Sequence, residues 1–288
     1  MGDAVVADFI TDVIPDTGSF EEPVTGRVLM NREQVVIVTE DGRVSFPIES
    51  VFDVAYGSAP PELRAFFEDT VSIAYEKGEQ RRIALIEGAD ETVSRFTDLL
   101  FKGILNGTTV AVKHPAKVGG RLTDESFHKA KLFVDPSSVK FKTSDPFAID
   151  ISTVSHFEQI SREVRGQSRG VLSVRHADSG SIVTTELALD PQRKMNVLGR
   201  FLRIEYSQLQ KELEDVSLQD EEVEILVGLY SGATEGSLAG MLGVDTSRIS
   251  SMLHRLEEKA LLEETPEGWQ LTAGGKLTVG EHLEEVNL

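Results

Sequence analysis

The chain has 288 residues, of which 40% are apolar and 27% charged. At about 100–200 residues per domain it holds two or three domains with real cores, which excludes wholesale disorder. It has no cysteine; a disulfide scaffold, a thiolate zinc site and a cysteine nucleophile are excluded, and a reducing cytoplasm fits. Twenty-nine Lys and Arg against 48 Asp and Glu give a formal charge of −19, a balance repelled by bare nucleic acid and anionic membrane and suited to molar internal salt.

The chain opens with Asp3 and Asp8, where a signal peptide would carry a basic flank. Val5, Val6, Phe9, Ile10 and Val13 recur at helical spacing and read as a packing arm. Val35–Thr39, Val44–Phe46 and Val51–Tyr56 read as strands, with Asp41-Gly42 as a hairpin turn between the first two. After Pro60-Pro61 a second hairpin joins Thr70–Tyr75 to Arg82–Ile86 through Lys77-Gly78. A helix follows from near Ala89-Asp90, with Val93, Phe96, Leu99, Leu100 and Ile104 on one stripe and Asn106-Gly107 as its stop. Lys102 breaks the apolar run there, and no run approaches the ~18–20 residues of a membrane span.

The order then repeats. Strands are expected at Thr108–Val112, Ala130–Val134, Val139–Thr143, Phe147–Ile151 and Val154–Ile160. A hairpin joins Gly170–Arg175 to Ser181–Leu187 through Asp178-Ser179-Gly180. A helix begins at Asp190-Pro191 and carries Val197, Phe201, Leu202, Ile204, Leu209 and Leu213. Ile48-Glu49-Ser50-Val51 lines up with Ile151-Ser152-Thr153-Val154, so the repeat is one of element order with slight identity. Each block, six or seven antiparallel strands and one closing helix, resembles a pleckstrin-homology-like domain, a fold that does not by itself imply a function.

From Val216 the pattern turns helical. Asp220–Tyr230 is one helix, Thr234 caps a second that Gly243 ends, and Asp245-Thr246 caps a third with Ile249, Met252, Leu253 and Leu256 inward. Leu261–Glu264 and Trp269–Thr272 form a hairpin, and a last helix runs from about Gly275 to Val286. This is the order of a winged helix-turn-helix. The fold class is thus α+β and multidomain: two tandem sheet-plus-helix domains, 1–107 and 108–215, then a winged-helix domain, 216–288.

Charge weighs against DNA. Residues 216–288 hold 14 acidic and four basic residues, whereas a DNA-binding module displays a basic face. The third helix offers Arg248, His254 and Arg255 outward, and the wing would aim Glu263, Glu264 and Glu267 at the backbone. Protein docking is the favoured use, with a DNA-binding transcriptional regulator as the alternative. Against this acidic background Lys113, Lys117, Arg121, Lys129, Lys131, Lys140 and Lys142 form a locally basic run. Lys140 and Lys142 share one strand face. A solvated sheet face, a docking patch for an acidic protein and a lipid-headgroup site are the three readings of that run. No phosphate loop, dinucleotide fingerprint, nucleophile elbow or zinc motif occurs, and the six histidines are scattered singly. No enzyme activity, cofactor or metal is expected.

Val24-Thr25-Gly26-Arg27-Val28, Pro47-Ile48-Glu49-Ser50-Val51, Phe147–Val154 and Gly268-Trp269-Gln270-Leu271-Thr272, set in this layout, resemble the archaeal taxis adaptor family CheF in its haloarchaeal form. The resemblance spans essentially the whole chain. It implies a non-enzymatic adaptor in the cytoplasm, at the cytoplasmic face of the archaellum motor. Such an adaptor binds the phosphorylated response regulator CheY, connects to the CheC and CheD proteins, and relays the signal to the archaellum switch complex. The family offers no short binding motif to match here. The residues expected to meet CheY are Arg248, His254, Arg255, Leu277, His282, Leu283 and Val286, because a receiver surface accepts an amphipathic helix. In 1 M salt the Debye length is about 3 Å, so apolar anchors should outweigh charges. The helical faces also admit a homodimer.

Overall fold

Alternating apolar residues build two antiparallel sheets in the computed structural model, which describes residues 4–17, 22–57, 70–88, 91–178, 181–214, 216–266 and 268–286. The Pro60-Pro61 segment, Ala89-Asp90, Ser179-Gly180 and Glu267 lie outside the described residues. The first sheet comprises Ala7–Ile14 (β1), Val24–Met30 (β2), Gln34–Thr39 (β3), Gly42–Pro47 (β4), Val51–Tyr56 (β5), Thr70–Lys77 (β6) and Gln80–Glu87 (β7), and Glu91–Leu105 (α1) follows it. The second comprises Thr108–Val118 (β8), Arg121–Leu122 (β9), His128–Asp135 (β10), Ser138–Lys142 (β11), Phe147–Asp150 (β12), Val154–Val164 (β13), Gln167–Asp178 (β14) and Ser181–Leu189 (β15), and Gln192–Leu213 (α2) follows it.

The strand orders coincide. The first sheet runs β4-β3-β2-β1-β7-β6-β5 and the second β12-β11-β10-β8-β15-β14-β13, with β9 an extra hairpin arm on β8. A 3-10 turn stands at the same place in each, Ile48–Ser50 and Ile151–Thr153, with Ile48 and Ile151 buried beneath it. The repeated element order read from the sequence is therefore present in the ladders.

One expectation fails. The apolar residues between Val5 and Val13 do not make a helix. Ala7–Ile14 is a strand, paired with β2 from Ala7↔Met30 to Val13↔Val24 and with β7 at Val13↔Ile86 and Ile14↔Leu85. Its alternate positions Ala7, Phe9, Thr11 and Val13 face inward. β-Branched Ile10, Thr11, Val13 and Ile14 favour the extended backbone. Position decides the rest: β1 joins the β4-β3-β2 half of the sheet to the β7-β6-β5 half.

The two sheets share one core. A single buried cluster runs from Val13 and Phe46 in the first through Phe101 of α1 to Phe141, Leu187 and Phe201 in the second. The rings of Phe101 and Phe201 meet edge to face, with centroids 5.4 Å apart. Helix α2 lies against β5 of the first sheet as well as β14 and β15 of its own. Arg200 of α2 donates to both carboxylate oxygens of Asp53, at 2.9 and 3.3 Å. Where α2 crosses α1, Glu205 is only 6% exposed. Burial pushes its carboxyl up to about 8, Asp98 adding to the shift and Lys102 opposing it.

The remaining chain forms Asp220–Tyr230 (α3), Glu235–Leu242 (α4), Thr246–Glu258 (α5), Leu262–Thr265 (β16), Gly268–Leu271 (β17) and Ala273–Val286 (α6). It has its own core around Ile225, Leu238, Ile249, Leu253 and Leu261. Gly228 lets α3 and α4 approach, since a Cβ there would lie 2.6 Å from Leu238 Cδ2. Gly243 ends α4 in the left-handed region, φ 64°. Helix α6 docks this part on the second sheet. It packs on the Ile151–Thr153 turn and on α2, and Lys276 donates to Asp150 at 2.7 Å. Among the described residues no helix is long and apolar enough to cross a membrane.

Candidate functional site

The outward face of α5 is built by its cap. Asp245 accepts from Arg248 N at 2.8 Å and from Ser247 Oγ at 2.7 Å, bonds that hold its carboxyl below the usual value. With Ile249, Met252, Leu253 and Leu256 buried, Arg248, Ser251, His254 and Arg255 face solvent. Arg248 is not a free cation there, because its Nη2 donates to both carboxylate oxygens of Glu221 at 2.9 and 2.7 Å. His254 stands edge-on to Trp269 of β17, centroids 5.3 Å apart, with Nδ1 3.3 Å from Glu257. Arg255 is exposed on the same face. Met241, 67% exposed on α4, was not singled out by sequence; a methionine in an apolar helix reads as core until its neighbours are placed.

Beneath this face the helices are tied by an ion pair between a buried carboxylate and a half-buried lysine. Glu222 is 1% exposed and accepts from Lys259 at 2.7 Å and from Gln219 N at 3.0 Å. Burial alone would raise its pKa, but these donors hold it below the ordinary carboxylate value.

Helix α6 places the other expected contacts differently. Leu277 is 3% exposed and belongs to the interior, which removes it from any surface set. His282 is half-buried, and the side chains of Leu283 and Val286 lie outside the described residues.

The basic run divides in two. Lys129, Lys131, Lys140 and Lys142 stand on the outer face of β10 and β11, while Val139 and Phe141 alternate inward. Lys131 and Lys142 are directly opposite in register, an arrangement that like charges disfavour. Each finds relief: Lys131 donates to Gly107 O and Thr109 Oγ1 at 2.9 Å, and Lys142 Nζ lies 4.5 Å from the Phe133 ring centroid. Lys140 pairs with Asp135 at 2.7 Å. Lys117 and Arg121 stand apart on the β8–β9 arm, beside the exposed Val118, Leu122 and Ile182. Lys113 lies opposite Glu186.

Two histidines that are distant in sequence meet in the second sheet. Thr185 Oγ1 lies 2.7 Å from His114 Nδ1 and 2.9 Å from His176 Nε2. His114 stacks on Phe147 at 3.9 Å. Burial lowers both imidazole pKa values, which keeps the pair neutral as a structural network. No cluster able to hold a metal ion occurs among the described residues.

A family described as "Archaeal Chemotaxis signal transduction system protein F" has a model that matches residues 5–208, from the first strand into α2. The chain is 48% identical over 288 residues, 100% of each chain, to Taxis protein CheF2 of Halobacterium salinarum. It is 29% identical over 250 residues, 86% of this chain and 83% of the relative, to Taxis protein CheF1 of the same organism.

Proposed function

Because the chain belongs to this archaeal chemotaxis family, CheF, we propose that it is a non-enzymatic adaptor that binds phosphorylated CheY and passes the signal to the archaellum switch complex. It takes part in archaeal chemotaxis signal transduction. The observation that carries the finer reading is the match to a taxis protein along the full length of both chains at 48% identity. Under this reading residues 1–107 and 108–215 are pleckstrin-homology-like domains; their identical strand order supports that. Residues 216–288 are a winged helix used for docking, which the order of helices and hairpin supports. The docking face for CheY is α5 with His254 and Arg255, with Met241 of the neighbouring α4 exposed as an apolar contact. The sheets address the switch complex at the cytoplasmic face of the motor, and CheC and CheD are further partners. The exposed wing residues Glu263 and Glu264 oppose the DNA-binding alternative, since binding duplex DNA means neutralising phosphates with cations.

Switching needs only a difference in affinity between the two states of CheY, and ~1.4 kcal/mol gives tenfold. The test is a titration of the full chain with CheY of the same organism in molar salt, with and without beryllofluoride as the phosphate mimic. Binding should tighten about tenfold or more with beryllofluoride, and His254→Ala with Arg255→Ala should remove most of that gain. Equal affinity in both states, or no binding by folded protein, overturns the reading.

A further inference from the structure

We infer that the cleft between the second sheet and the start of α2 is a binding site for a small, phosphate-dense anion. The cleft has a volume of about 710 Å³, in the range of ~300–1,000 Å³ typical of small-molecule sites. Its floor is the beginning of β8, Thr108–Ala111, and five cations converge on it: Lys129, Arg165, Arg169, Arg193 and Lys194. Two carboxylates, Glu49 and Asp190, share the lining, and Asp190 is taken up by Arg169. A surplus of three positive charges thus sits in one recess of a chain whose formal charge is −19.

The protein quenches only part of that surplus, through the ion pair of Arg193 with Glu76 outside the lining. Among the described residues neither Lys129 nor Arg165 has an ion pair. Lys194 Nζ donates to the neutral Thr108 Oγ1 at 3.1 Å. Its burial lowers its pKa, Glu49 acts the other way, and Arg193 and Lys131 add to the lowering. Arg193 reaches Glu76 only at 3.6 Å, and its Nε is buried with no hydrogen-bond partner. Arg165 occupies the left-handed region, φ 53°, before Gly166 in the β13–β14 turn. Asn or Gly is the usual residue in such a turn; arginine there places another guanidinium at the cleft mouth. Crowded cations in a concave, partly desolvated site attract an anion most strongly, and guanidinium forks suit phosphate oxygens. The volume suits a ligand larger than one phosphate. The cleft is distinct from the α5 face, so its test does not depend on the CheY reading.

The shared chemistry is phosphate, from a free polyphosphate or from a headgroup. Inorganic pyrophosphate tests the first by calorimetric titration of the full chain. Vesicles of phosphatidic acid in phosphatidylcholine test the second by co-sedimentation. The variant is Lys129→Gln with Arg165→Asn, both at exposed positions, asparagine being at ease with the positive φ. The control is Arg32→Gln with Arg43→Gln, which makes the same charge change on the first sheet. Saturable binding of either probe that weakens about tenfold or more in the variant and is unchanged in the control supports the site. No saturable binding of either probe, or equal weakening in both mutants, overturns it. If circular dichroism shows the double variant unfolded, Lys129→Gln alone is read by the same criteria.

Discussion

Replacing Glu205 by glutamine should make the protein more stable at alkaline pH and change little in mild acid. The carboxyl is 6% exposed at the α1–α2 crossing and is held at about 8 in the fold against an ordinary 4.5. In the folded chain it keeps its proton at neutral pH, whereas the unfolded chain has lost it. A raised carboxyl pKa therefore contributes a stability that is complete below about 4.5 and drains away as pH rises towards about 8. At about 1.4 kcal/mol per unit the full loss is on the order of 4–5 kcal/mol, and Asp98 nearby, itself raised by burial, shares in it. Glutamine keeps the shape and cannot ionise. Urea midpoints in high salt, taken at about pH 5, 7 and 9, should fall steeply for the wild type and much less for Glu205→Gln, in which the raised Asp98 still titrates. Parallel curves for the two proteins would refute the assignment.

Phe201→Ala should cost about 3–5 kcal/mol. Because Phe201 meets Phe101 in a core common to both sheets, amide exchange should speed up in the first sheet as well as the second; loss of protection in the second alone would break the shared-core argument. Lys259→Met should destabilise the C-terminal part by about 1–3 kcal/mol, since it leaves the Glu222 carboxylate without its cation but with its backbone donor. Fluorescence of Trp269, the chain's single tryptophan, reports that transition, and an unchanged midpoint would show the pair to be dispensable.

The legible parts of this fold are those with local chemistry. Val139-Lys140-Phe141-Lys142 alternates as its sequence reads, Asp245 caps α5 as its residue type demands, and Gly243 ends α4 where a positive φ is required. The N-terminal strand was not legible because apolar residues at Val5, Phe9 and Val13 satisfy a helical period as well as a strand's. Only pairing to both β2 and β7 decides between them. The exposed face of α5 was visible from its heptad-like spacing, yet the tie between Arg248 and Glu221 spans two helices and has no local signature. The cationic cleft was hidden for the same reason. In sequence Lys129 belongs to the run of strand lysines, while Arg165, Arg169 and Lys194 join it only because β8, β14 and α2 converge. Leu277 carried an apolar periodicity that fits an exposed anchor or a core position equally; α6 packing on the Ile151–Thr153 turn and α2 makes it core.

That seating of α6 has a mechanical consequence. With Lys276 clamped to Asp150 and the helix wedged against α2, the C-terminal part is not a bob on a string but one arm of a bracket. A protein held on α5 would be presented to anything gripping the sheets through a packed helix and not through a flexible tether. A bracket of that kind transmits displacement between the two objects it joins, and the packing of α6 on the Ile151–Thr153 turn and on α2 carries it, since the half-exposed Lys276–Asp150 pair adds little.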